Sequence, residues 1–163
     1  MTRWLAVVLR AIVIVLAAAV LGVIVNLVSP SGIPFKYVPP KEVVHSGVKI
    51  PVIDEKEARQ SLDDGNTIFL DARDEEDFAD SHIKGALSMP SARKEERYPL
   101  LEPVLPKEGG IILYCTNPDC HMAEQVAAFL AQLGYENLRI MTAGIEGWTK
   151  AGFPVQSGSE RKK

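Results

Sequence analysis

Trp4 to Val28 is apolar throughout except for Arg10 and Asn26, and no other feature limits the fold of this chain so strongly. At about 1.5 Å per residue, a helix over this run is long enough to cross the roughly 30 Å hydrocarbon core of a bilayer. Residues 1–28 are therefore expected to be a membrane anchor. The following Asn26-Leu-Val-Ser-Pro30 offers no Ala-x-Ala cleavage pattern, so the anchor is read as uncleaved. Arg3, Arg10 and the terminal amine make a denser positive cluster than Lys36 and Lys41 on the other flank. That asymmetry favours the amino terminus inside and the body outside. The expected location is a bacterial inner membrane crossed once, with the body in the periplasm.

Residues 29–40 contain four prolines and one glycine, and Pro39-Pro40 cannot continue a helix, so this segment reads as an extended spacer. Residues 41–158 remain for one domain, which suits the size of a single core. Residues 159–163 form a basic tail. Between Lys41 and Ser159 there are 12 Lys and Arg against 20 Asp and Glu. A surface with that balance repels phosphate backbones, which excludes nucleic acid as a partner.

Within the domain, strand and helix patterns alternate. Asp54 and Glu57 have the form of a capping box at a helix start, which Ala58, Leu62 and Gly65 carry on and close. Thr67 to Leu70 reads as a buried strand running into Asp71-Ala-Arg73, and Asp74 to Asp77 as an acidic helix start. Gly85 to Pro90 is expected to hold a short strand, Glu95 to Leu105 a helix closed by Pro106, Leu138 to Met141 a strand, and Gly144 to Ala151 a last helix. This alternation implies an α/β domain with a small parallel sheet flanked by helices, whose active site lies beyond the carboxyl ends of the strands.

The chemistry concentrates in one stretch. Ile111 to Tyr114 is a short apolar run, Thr116 to Asp119 is polar, and Val126, Phe129, Leu130 and Leu133 recur at helical spacing. Cys115 thus falls between the end of a strand and the amino terminus of a helix. Backbone amides and the positive end of the helix dipole lower a thiol's pKa in such a place and make it a nucleophile. The plainer alternative is a cysteine that fills a core position. The second cysteine, Cys120, lies in the same loop, so the pair cannot be a framework that staples the fold. Cys120 is read either as a half-buried residue at the helix cap or as a thiol that resolves a persulfide or sulfenic acid on Cys115, closing a small disulfide within the loop. His121 is read either as a base or hydrogen-bond donor toward the Cys115 thiolate or as a solvated residue at the helix start. No metal is expected, because Cys115, Cys120 and His121 lack a fourth ligand, and no other cofactor is implied.

Four short pieces occur in the order found in a known family: Leu70-Asp-Ala-Arg73, Ser81-His-Ile-Lys-Gly-Ala86, Leu113-Tyr-Cys115, and Ala143-Gly-Ile-Glu-Gly-Trp148 followed by Gly152-Phe-Pro154. From about Pro51 to Pro154 the chain resembles the rhodanese-like domains. The resemblance implies that Cys115 is the catalytic cysteine, which takes a sulfane sulfur from a small donor as a persulfide and passes it to a thiol acceptor. It also implies that Thr116, Asn117, Pro118 and Asp119 form the substrate loop, and that Asp71, Arg73, His82 and Trp148 hold loops together. Departures are equally informative. Family members that use thiosulfate carry a basic residue in or at the end of this loop, whereas Thr116 to His121 has none except His121 and includes Asp119. Weak thiosulfate activity follows as an expectation. Pro118 removes a backbone donor, the loop is one or two residues longer than usual, and Ser81 and Ala143 stand where the family has glycine. The expected function is a membrane-anchored sulfurtransferase or persulfide carrier. The alternatives are a thiol redox protein cycling Cys115 and Cys120, and a silent binding module of the same fold.

Overall fold

The computed structural model describes residues 2–29 and 41–158. All of the proline-rich spacer but Ser29, and the basic tail, therefore lie outside the described residues. The chain divides into two units, the first holding the amino-terminal helix and the second the body.

Helix α1 covers Thr2–Val28, and its stretch Trp4–Val28 is long and apolar enough to cross a membrane. Its large apolar side chains, from Trp4 to Val28, are exposed, so no protein core accounts for their composition.

In the body, the elements after α1 are β1 (Glu42–His45), β2 (Val48–Ile53), α2 (Glu55–Asp63), β3 (Thr67–Asp71), α3 (Glu75–Asp80), β4 (His82–Ile83) and β5 (Leu87–Ser88). Then come α4 (Lys94–Leu101), β6 (Gly110–Tyr114), α5 (Met122–Gln132), β7 (Leu138–Met141), α6 (Gly144–Lys150) and β8 (Val155–Gln156). The main sheet has six strands in the order β1-β2-β7-β6-β3-β5. Every pairing in it is parallel except β1 with β2, while β4 and β8 form a separate antiparallel pair.

Strand β6 is central, with Leu113 paired to Leu70 on one side and to Ile140 on the other. All five of its residues are buried, as a strand covered on both faces requires. Alternation sends Ile111 and Leu113 into a core with Val126, Ala127 and Leu130 of α5, and Ile112 and Tyr114 into a second core with Ala58, Phe78 and Trp148. Cys115 continues the first set and joins the core beside α5. Strand parity thus aims its side chain.

Three local expectations change. The capping box at α2 is half formed: Asp54 Oδ1 accepts from the Lys56 and Glu57 amides at 2.9 and 2.8 Å, while Glu57 reaches Arg139 at 3.6 Å. The helix expected over Glu95 to Leu105 stops at Leu101 and tightens into a 3-10 turn over Glu102–Val104, because Pro103 has no amide to give the carbonyl four residues back. The hairpin β1–β2 is additional, since the sequence reading places no strand before Asp54. Its turn residues Ser46 and Gly47 both take positive φ, 50° and 79°, the geometry that matches the twist of paired strands.

Candidate active site

The loop from Cys115 to His121 leaves the carboxyl end of β6 and enters α5 at Met122. Two backbone bonds from the start of α6 hold its first residues: Ile145 N–H donates to Cys115 O at 2.8 Å and Glu146 N–H to Thr116 O at 3.1 Å. This approach depends on Gly144, whose φ is +62° and whose hydrogen faces Thr116 O where a Cβ would stand 2.4 Å away. The loop then curls around Asn117. Its side-chain Oδ1 accepts from Asp119 N–H at 3.2 Å, its carbonyl from Cys120 N–H at 3.2 Å, and its Nδ2 donates to Glu146 at 3.4 Å.

The curl returns Cys120 to Cys115, and the two sulfurs are bonded as a disulfide with the Cα atoms 6.1 Å apart. That separation lies within the range a disulfide spans. The Cys115 sulfur therefore meets Cys120 rather than facing only the loop amides. Two of those amides are engaged by Asn117, and Pro118 has none. Cys115 is 3% exposed, whereas Cys120 is half-buried between the exposed Asp119 and His121. Thr116 places its hydroxyl 3.9 Å from Cys115 Sγ.

Beyond the loop, Glu124 in the first turn of α5 stands between two imidazoles: its Oε1 is 3.2 Å from His121 Nδ1 and its Oε2 is 3.7 Å from His45 Nδ1. His121 thus turns its Nδ1 to Glu124. Asp119, Glu124 and Glu146 make the rim acidic, and residues 116–121 contain no Lys or Arg. Among the described residues, no group of three or more His, Cys, Asp and Glu side chains is arranged to hold a metal ion.

The four other residues singled out in the sequence lie behind the loop. Arg73 Nη2 donates to Asp71 Oδ2 at 2.6 Å and to Ser81 O at 2.6 Å, and Arg73 N–H donates to Asp71 Oδ1 at 3.0 Å. Burial opposes the Arg73 charge, but the hydrogen bond and charge of Asp71 outweigh it and raise its pKa. Tyr114, next to Cys115, has its hydroxyl held neutral, pushed upward by burial and then by the Asp71 carboxylate. The same oxygen accepts Ile83 N–H at 3.1 Å, tying β6 to β4. His82 is buried: Nδ1 is 2.6 Å from Phe78 O and Nε2 is 2.8 Å from Gln156 Nε2. The carbonyl fixes the tautomer, with Nδ1 donating and Nε2 accepting from the amide. Its ring stacks on Phe78 at 3.8 Å. Trp148 donates to Pro154 O at 3.0 Å and packs against Phe69 and Phe153.

Gly144, Asn117's pairing with Glu146, Tyr114, and the His45–Glu124–His121 group escape the sequence reading. Glu124 is three residues past His121 on a predicted helix, so that contact was readable. His45 comes from the unforeseen hairpin and left no such signal.

A mostly parallel α/β sheet with a cysteine loop at the carboxyl end of its central strand, gripped by the start of α6, defines a rhodanese fold. A family model described as "Rhodanese-like domain" matches residues 54–151, and the chain belongs to that family. Among curated relatives, it is 30% identical over 92 residues to the thiosulfate sulfurtransferase GlpE of Actinobacillus succinogenes, covering 56% of this chain and 78% of that one. It is 26% identical over 107 residues to the tRNA uridine(34) hydroxylase of Photorhabdus laumondii, covering 62% of this chain but 30% of the hydroxylase. Thus the chain spans under a third of the second relative. Among solved structures, the BH2092 protein from Bacillus halodurans superposes with a TM-score of 0.57 at 32% identity, over 64% of this chain and 75% of that one.

Proposed function

We propose that this chain is a membrane-anchored sulfurtransferase in which reduced Cys115 accepts a sulfane sulfur as a persulfide and passes it to a thiol. The observation that carries the reading is the placement of Cys115 in a loop gripped by α6 at the end of the central strand, in a family with a thiosulfate sulfurtransferase among its members. The Cys115 thiolate attacks the outer sulfur of a small donor, the donor's sulfur–sulfur bond breaks, and the remainder leaves as a thiolate or sulfite. An acceptor thiolate then attacks the terminal sulfur and restores the Cys115 thiolate. The Cys115–Cys120 disulfide must first be reduced by two electrons, because a thiolate and not a disulfide is the nucleophile. Helix α1 serves as the anchor, with the body in the periplasm.

The test is intact mass spectrometry of the full chain in detergent, reduced and then exposed to several sulfane donors. Cys120→Ser, in which no neighbouring thiol can attack the persulfide, gains the mass of one sulfur atom and Cys115→Ser gains none. Loading of Cys115→Ser to the same extent removes the proposal.

The disulfide favours a second reading, a thiol–disulfide redox protein that never carries sulfane sulfur. In that case the reduced wild type takes up no sulfur from any donor and still exchanges disulfides.

A further inference from the structure

The disulfide is also the product that one particular reaction of a Cys115 persulfide would leave. Asn117 curls the loop through bonds that do not involve sulfur, Cys120 N–H to its carbonyl and Asp119 N–H to its side chain. Residue 120 is thereby brought to within 6.1 Å of residue 115, measured between Cα atoms. A thiol held this way competes with free thiols at an effective concentration that small molecules do not reach. The sulfur it meets is Cys115 Sγ, which in a persulfide is the inner sulfur. No Lys or Arg in residues 116–121 would retain an outgoing anion.

We infer that Cys120 discharges the Cys115 persulfide as hydrosulfide, so that the chain reduces sulfane sulfur with electrons from an external dithiol that enters at Cys120. The inference rests on the sulfur-loading reading above. In the discharge step the Cys120 thiolate attacks Cys115 Sγ, the Sγ–S bond breaks, and the terminal sulfur leaves with the electron pair as hydrosulfide. The Cys115–Cys120 bond forms at the same time. To reset the site, a thiolate of the external dithiol attacks Cys120 Sγ and Cys115 departs as a thiolate. The second external thiolate then attacks the mixed disulfide and frees Cys120. The net change is one sulfane sulfur, two electrons and two protons converted to hydrogen sulfide, with the external dithiol oxidised to its disulfide.

Entry at Cys120 follows from exposure and from the leaving group. Cys115 is 3% exposed within the core beside α5, whereas Cys120 is half-buried between exposed neighbours. Cys115 also leaves from a position between a strand end and a helix amino terminus, where a thiolate is stabilised.

The experiment uses the full chain in detergent, reduced, freed of small thiols, and mixed with one equivalent of glutathione persulfide. Sulfide is trapped with a bimane reagent and the chain is weighed intact. Wild type should release one sulfide per chain above the Cys115→Ser background and end two hydrogens lighter. Cys120→Ser and Cys120→Ala should instead retain the added sulfur and release no sulfide. Retention of the sulfur by wild type, with no sulfide formed, overturns the inference and leaves the loading reading standing. Failure of wild type and both Cys120 variants to take up sulfur overturns the two together. Separately, oxidised chain treated with glutathione and iodoacetamide should carry glutathione on Cys120 and the alkyl group on Cys115; the reverse labelling overturns the order of attack.

Discussion

At Asp119 the loop after β6 carries a negative charge next to Cys120, where a dianionic donor would be served by a cation. A charge-assisted hydrogen bond contributes about 1.5–3 kcal/mol, and exposure of this loop position reduces what is realised. Asp119→Lys should therefore raise kcat/KM for thiosulfate by up to about tenfold and change it little for an uncharged sulfane donor. Initial rates with both donors check this, and an equal rise for both would assign the gain to something other than charge. The buried Asp71–Arg73 pair behaves differently from such an exposed residue. Removing one partner leaves an uncompensated buried charge, at a cost of about 3–5 kcal/mol. Its place behind the loop, bonded to Ser81 O, makes it a support for the strand ends.

Among the elements, the start of α6 decides the shape of the site. Its first amides hold Cys115 and Thr116, and the close approach requires a residue without a Cβ and with positive φ at position 144. Gly144→Ala should lower stability by about 1–3 kcal/mol and slow sulfur loading, because the loop must shift away from the new methyl. Gly134→Ala is the matched control: φ there is +86°, but nothing lies within 4 Å of the position a Cβ would take. It should destabilise through backbone strain alone, about 1–2 kcal/mol, and load sulfur normally. Thermal unfolding and loading rates separate the two. The hairpin β1–β2 acts at the same scale. It extends the parallel sheet with an antiparallel edge strand and brings His45 to Glu124, next to the loop.

For the whole molecule, the separation into an apolar helix and an acidic domain leads to a topology prediction. A reporter fused after Lys163 should be active as a periplasmic enzyme and silent as a cytoplasmic one, as the arginines at positions 3 and 10 favour. The opposite pattern reverses the orientation. It would also place the cysteines in a reducing compartment, where the Cys115–Cys120 disulfide would not persist at rest.

The sequence alone determined the α/β order, the central strand Ile111 to Tyr114, the strand Leu138 to Met141 and the position of Cys115 between strand and helix. These follow from local signals: apolar periodicity, caps and turn residues act over a few neighbours and survive without knowledge of the rest. The edge hairpin carried a local signal too, in the valines around Ser46-Gly47, but its pairing and its place beside β7 depend on partners far along the chain. Only the tertiary structure decided that Cys115 and Cys120 close on each other, that α6 grips the loop through Gly144, and that His45 and His121 share Glu124. The grip of α6 and the approach of His45 depend on where segments distant in sequence come to rest, which the packing of the two cores against the sheet sets. The closure of Cys120 on Cys115 depends on the bend of the loop, made by the bonds to Asn117 and held in place by α6.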